Sequence, residues 1–162
     1  MTPPYGPFVV RQASVQDAAT LTTPRAALFR EIGQTVTPEE QASFERLTKL
    51  AFAAGLKDGF CLAWLARSEN GESIGSVALL LFPRLPTPLA PAQGEGYLLN
   101  VYIRPEWRGR GVATALVETA VGRGRELGLA PIRLHTTAAG RAVYPSAGFV
   151  SRDNELEPRL QG

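Results

Sequence analysis

The chain is poor in the side chains that do metal, redox and nucleophilic chemistry. Its 162 residues include one cysteine, one histidine and one methionine. One cysteine cannot form an intrachain disulfide. Cys61 lies in the apolar run "FCLAWLA", where a buried small hydrophobe is expected rather than a nucleophile. A lone thiol fits a reducing, cytoplasmic location. No Cys/His/Asp group has metal-ligand spacing, so no metal is expected. Long apolar runs are missing too. The longest, "VALLLF", is about a third of a membrane span. The opening "MTPPYGPFVV" has neither the charged nor the long apolar region of a signal peptide, so no membrane partner is expected. Excess charge is slight: 17 Lys and Arg against 15 Asp and Glu give +2. That is too little for the dense basic face that nucleic acid demands, but it permits an anionic small ligand.

What the chain does have is 44% hydrophobic residues, 16 glycines and 13 prolines. Its length suits one domain over residues 1–162. Such a chain buries roughly 70% of its unfolded surface, enough for a core without crosslinks.

"FVVRQA" reads as a first strand, followed by Ser14 as a helix cap with Asp17 in the first turn. That helix should reach about Ile32, with a kink or split at Thr23–Pro24. "TPEE" starts a second helix: Thr37 caps, Pro38 takes the first position and Glu40 closes the capping box. Phe44, Leu47, Ala51 and Ala54 form its apolar face, and Gly55 is expected to stop it. "GFCLAWLARS" and "SIGSVALLLF" are strands joined at Asn70-Gly71, a hairpin signal in which both residues take positive φ. "PRLPTPLAPAQ" places four prolines in eleven residues and reads as a stiff loop between adjacent strands. "GYLLNVYI" is the next strand. A helix from about Gly109 to Leu127 follows, with Val112, Leu116, Ala120, Gly124 and Leu127 on one side and Gly128 as its stop. "IRLHTT" is a strand, "AAGRAVYPSAG" a short helix broken near Pro145, and "FVSRDNELEPRL" a final strand or two. The strand, helix, strand run over 96–136 implies a parallel pair, while the hairpin is antiparallel. The fold class expected is therefore α/β, with one mixed sheet.

Three arginines and two glycines crowd Arg104 to Gly111, where the helix must begin. The first amides of a helix lack internal partners and sit at its positive end. Glycines let another molecule approach them, and Arg108 and Arg110 add charge: together a socket for phosphate. It is not a Walker loop, for which no Gly-Lys-Ser/Thr exists, nor a Rossmann fingerprint, because Thr114 stands where glycine is required.

"NVYIRPEWRGRGVATALVETA" resembles the central motif of the GNAT N-acetyltransferases, whose Arg/Gln-x-x-Gly-x-Gly/Ala is matched by Arg108, Gly111 and Ala113. "YPSAGF" resembles that family's Tyr-x-x-x-Gly-Phe through Tyr144, Gly148 and Phe149. The resemblance implies a twisted mixed sheet, splayed at its fourth and fifth strands, with helices on both faces. It implies acetyl-CoA as cosubstrate, bound in the splay. The diphosphate would lie on Arg108, Gly109, Arg110, Gly111, Val112 and Ala113, and the pantetheine arm along Val101, Tyr102 and Ile103. The activity implied is acetyl transfer to a primary amine of a small molecule or peptide, by direct attack in a ternary complex, in a monomer or homodimer. A non-catalytic module that binds CoA as a sensor or scaffold is the alternative. It is suggested by Tyr97, which stands where relatives often carry a glutamate base. Glu95, two residues earlier, would then act through water if no bulge intervenes. Tyr144 matches the residue that protonates the departing thiolate. Thr137 replaces a frequent asparagine, which puts a cofactor contact there in doubt, and Arg141 is either a phosphate contact or solvated. Asn100 would have an orienting role only. His135 suits a base by its chemistry, but as a lone strand histidine it is read first as structural.

Overall fold

The computed structural model describes residues 7–89, 91, 92, 94–152 and 156, with only the backbone of residues 138 and 139. Five strands lie in one sheet in chain order: β1 Phe8–Gln12, β2 Cys61–Ser68, β3 Ser73–Pro83, β4 Gly94–Ile103 and β5 Ile132–Arg133. The first four are antiparallel neighbours, and β5 joins β4 in parallel. This is the expected mixed sheet. The proline-rich segment connects β3 to β4, which pair from Pro83 opposite Gly94 onward. Among the described residues no helix is long and apolar enough to cross a membrane.

Helices α1 (Ala18–Glu31) and α2 (Pro38–Asp58) cover one face of the sheet, and α3 (Val112–Glu126) covers the other. On the α3 face Leu116, Val117, Ala120 and Val121 pack on Ile74, Val77, Leu79 and Leu98. On the opposite face Leu21 and Phe52 pack on Ala63, Leu65 and Ala78. Each fully buried aliphatic contributes roughly 1.5–3 kcal/mol relative to exposure.

Local chemistry sets most helix ends. The Thr37 amide donates to Glu40 Oε2 at 2.9 Å, and the Glu40 amide donates to Thr37 Oγ1 at 3.2 Å, which completes the expected capping box. Before α1, a 3-10 turn over Val15–Asp17 is closed by the Ser14 amide donating to Asp17 Oδ2 at 2.8 Å. Arg11 holds the same carboxylate with two donors, at 2.9 and 2.7 Å.

Several expectations are corrected. Pro24 does not split α1, which is continuous through it; Leu21, Thr22 and Ala26, buried on either side, hold the segment against its neighbours. Gly55 does not end α2; Gly59 does, at φ 83°. Gly55 is buried against β2, and it must be glycine because a Cβ there would lie 2.6 Å from Cys61 Cβ. The inward face of α2 is Phe44, Thr48, Phe52 and Leu56, one residue out of step with the expected stripe; Leu47 is 55% exposed. In the hairpin only Gly71 has positive φ, at 79°. The Gly71 amide donates to the Ser68 carbonyl at 2.9 Å, so Gly71 follows an ordinary turn rather than sharing a two-residue one. Helix α3 begins at Val112, not Gly109, since Gly109 and Gly111 both take left-handed φ that a helix cannot contain. Leu127 is 42% exposed just past its end. Paired β5 is two residues, not six. Residues 138–147 form two 3-10 segments, Ala138–Val143 and Pro145–Ala147, around Tyr144. Phe149 to Arg152 carry no strand, and the rest of the expected final strands lies outside the described residues, Leu156 excepted.

Candidate functional site

The site is built on a bulge and a parting of strands. Ala78 faces Leu99, but Ser76 faces Tyr102, so Asn100 and Val101 together oppose Val77. Asn100 takes φ 57°, a conformation that asparagine tolerates better than most residues. It is buried, and its Nδ2 donates to the Leu21 carbonyl and to Ser76 Oγ, both at 3.3 Å; Ser76 Oγ in turn donates to the Asn100 carbonyl at 3.0 Å. Asn100 is thus a clamp between α1 and β3 rather than a cleft-lining amide. The extra residue changes which face later side chains take. Tyr97, Leu99 and Tyr102 point to the α1 side, and Leu98, Val101 and Ile103 to the α3 side. Between Glu95 and Tyr97 the register is continuous, so these two share a face.

β5 pairs with β4 only at Gly96–Ile132 and Tyr97–Arg133. From Leu98 onward β4 keeps β3 on one side and, among the described residues, has no strand on the other. Val101, Tyr102 and Ile103 therefore border an opening. Their side chains are engaged within the protein, so what they can offer a ligand is backbone. The opening leads to the loop before α3. Gly109 and Gly111 have φ 73° and 80°, and nothing lies within 4 Å of where a Gly109 Cβ would be. Among the described residues, none of the six amides from Gly109 to Thr114 finds an acceptor in the chain; the first helical bond runs from the Ala115 amide to the Gly111 carbonyl at 3.0 Å. Six unpartnered donors at a helix N-terminus are an arrangement that suits an anion.

The two arginines there are used differently from one another. Arg108 turns back: its Nε donates to the Ile103 carbonyl at 3.0 Å, and its Nη2 to both Glu31 oxygens at 2.9 and 2.8 Å. Tyr102 also donates to Glu31, at 2.9 Å, and burial followed by this carboxylate raises its phenol pKa. Arg108 therefore fixes the loop to the end of α1. Arg110 remains exposed and lies 5.0 Å over the Trp107 ring.

At the parting point the Tyr97 hydroxyl hydrogen-bonds Nδ1 of His135, which stands two residues beyond the last paired residue of β5. Glu95 accepts from Arg133 Nη1 at 3.4 Å. Arg25 of α1 reaches the same face, half-buried, with its guanidinium 4.9 Å over the Phe29 ring and near the Tyr97 phenol. Sequence reasoning passed over Arg25, and it did not foresee the Glu31 carboxylate as the anchor of Arg108. No motif marks either residue. The left-handed tolerance of asparagine was the available signal for the bulge.

Tyr144 joins the two 3-10 segments and is partly buried, edge-on to Phe149 at 5.8 Å. Burial raises its phenol pKa, and a hydrogen bond with Thr136 pulls weakly the other way. Thr137 caps the first segment, its Oγ1 accepting from the Gly140 amide at 3.3 Å, and Arg141 is exposed. Cys61 is inert: burial pushes its thiol up to about 11.

A sheet opened beside a glycine-bent loop of free amides makes a cleft suited to an extended anionic ligand. Residues 27–149 match the model of the acetyltransferase (GNAT) family, and the chain belongs to that family. A GCN5-related N-acetyltransferase from Ralstonia eutropha JMP134 is 27% identical, with a TM-score of 0.80 over 94% of this chain and 98% of its own. A predicted acetyltransferase of Clostridium acetobutylicum, solved with acetyl-CoA, is 27% identical, with a TM-score of 0.81 over 94% and 96%. The fold is also that of a ribosomal-protein-alanine N-acetyltransferase from Brucella melitensis biovar Abortus 2308, at 18% identity and a TM-score of 0.67 over 95% and 99%. No curated protein matches the chain.

Proposed function

We propose that this acetyltransferase uses acetyl-CoA and acetylates a primary amine of a small molecule or peptide, with both substrates bound at once. The observation that carries the reading is the run of unpaired amides from Gly109 to Thr114 beside the opened edge of β4. The residues fit the cosubstrate. Six donors suit a diphosphate, Gly109 leaves the approach clear, and the edge of β4 at Val101 and the Ile103 amide, the Ile103 carbonyl being held by Arg108, suits the amides of a pantetheine arm. Bound there, acetyl-CoA supplies an acyl group activated as a thioester.

The chain's own residues supply the rest. A free backbone amide on β4 would stabilise negative charge developing on the acyl oxygen. An ammonium must lose a proton before it is nucleophilic, and two groups on the α1 face can accept it: the Glu95 carboxylate through water, and the His135 imidazole. Tyr97 orients His135 in either case. Tyr144, whose raised pKa keeps it protonated, donates to the departing thiolate.

The test is thiol release from acetyl-CoA against amines, amino acids, polyamines and aminoglycosides, with CoA binding followed by calorimetry. Release with some amine supports the enzyme. CoA binding without turnover on any amine would favour the non-catalytic module, a reading that rests on Tyr97 standing at the usual base position and on Glu95 being tied to Arg133.

A further inference from the structure

Arg25 is the residue that neither the fold nor the proposed chemistry uses. Among the described residues every other arginine that is not exposed has a polar partner. Arg11 and Arg67 meet Asp17, Arg84 donates to the Ala130 carbonyl, and Arg104 meets Glu72 and Glu106. Arg25 is half-buried with neither an ion pair nor a hydrogen bond there; it lies over the Phe29 ring and beside the Tyr97 phenol. Burial lowers its pKa, and the neighbouring Tyr97 phenol acts only in part against that.

Its position gives that charge a use. The guanidinium sits by Tyr97, which bonds His135 where β4 and β5 separate. It therefore stands on the α1 side of the opening, at the mouth through which an acceptor would come. The two carboxylates tied to this stretch of β4 are taken: Glu31 by Arg108 and Tyr102, and Glu95 by Arg133. That leaves the Arg25 guanidinium as a cation without an ion pair among the described residues. A polyamine or aminoglycoside would meet repulsion here. An amine that also carries an acid group would complete the missing pair, and a planar guanidinium matches a carboxylate with two parallel donors.

We infer that the acceptor is an amine bearing a carboxylate, of the α-amino acid kind, and that Arg25, stacked on Phe29 beside the Tyr97–His135 pair, binds that carboxylate. The inference rests on the acetyl-transfer reading for the role of the cleft, but the site itself can be tested by binding alone.

The experiment measures thiol release from acetyl-CoA with the standard L-amino acids and with their carboxamides as matched pairs. Phosphoethanolamine against ethanolamine serves as a phosphate arm. The expected result is at least a tenfold higher kcat/KM for the carboxylate member of a productive pair. Arg25→Gln should raise KM for that member at least tenfold, leave kcat within about threefold and abolish the preference, while Arg25→Lys retains part of it. Equal turnover of acid and amide, an Arg25→Gln variant that keeps the preference, or phosphoethanolamine outrunning every amino acid overturns the inference. Calorimetry of the same amino acids with CoA present separates the two levels. Arg25-dependent carboxylate binding without thiol release upholds the site and removes the acetyl-transfer reading. Release without discrimination upholds transfer and removes the site, and an absence of both removes the two together.

Discussion

The Tyr97 hydroxyl and Nδ1 of His135 are joined across the point where β4 and β5 separate. One residue belongs to the last paired position of β4, the other to the first unpaired stretch after β5. The bond therefore spans the two lips of the opening. If it orients the imidazole for proton transfer, Tyr97→Phe should lower kcat/KM by roughly tenfold and change the shape of the acid limb of the pH profile. His135→Gln should then make the Tyr97 change silent, as measured by a double-mutant cycle on turnover. Independent, additive losses would assign the contact to structure alone.

Gly111 caps α3 at φ 80° within the run of free amides. An aspartate there brings a strained backbone and a negative charge into the proposed diphosphate seat. Gly111→Asp should weaken CoA by more than a hundredfold in calorimetry, about 3 kcal/mol or more, with circular dichroism unchanged. A folded variant with native affinity would contradict the seat.

Tyr144→Phe should cut kcat by roughly a hundredfold while leaving CoA affinity within about twofold. Because the folded phenol titrates above its ordinary value of 10.0, the acid form persists through neutral and mildly alkaline pH. The alkaline loss of kcat assigned to it lies above pH 10, and a loss centred near neutrality that survives Tyr144→Phe would belong to another group.

Asp17 tests the frame rather than the chemistry. The Arg11 guanidinium, followed by the Ser14 amide, outweighs burial and holds this carboxyl well below its ordinary 3.8. The unfolded chain thus takes up the proton first as pH falls. The stabilisation is whole above about pH 4 and drains away below it. Asp17→Asn should cost roughly 2 kcal/mol at pH 7 in urea unfolding and flatten the decline of stability below pH 4. An undiminished acid-side slope would place the titration elsewhere.

The succession of elements and the glycine-rich entry to α3 were legible because each rests on local patterning: apolar runs between turn residues, the Thr37–Glu40 box, glycines before a helical stripe. The misreadings came from tertiary contact. Gly55 resembles a helix stop, yet it is a glycine because Cys61 packs against it, and the stop lies four residues later at Gly59. Leu47 looks inward by spacing, but α2 presents Thr48 and Phe52 instead. The charge of Arg108 was visible, whereas its commitment to Glu31, 77 residues away, was not. Arg25 had no motif at all; its meaning comes only from what fails to surround it.

The inserted step at Asn100 has a further consequence for how this strand can vary. Removing Asn100 would make Leu99 and Val101 successive residues opposite Ala78 and Val77, so Tyr102 and Ile103 would keep their present faces and the Glu31 anchor would survive. What would be lost is the buried tie from Asn100 to the Leu21 carbonyl and Ser76, the brace between α1 and β3. The ladder can spare this residue; the packing beside the opening would lose its brace.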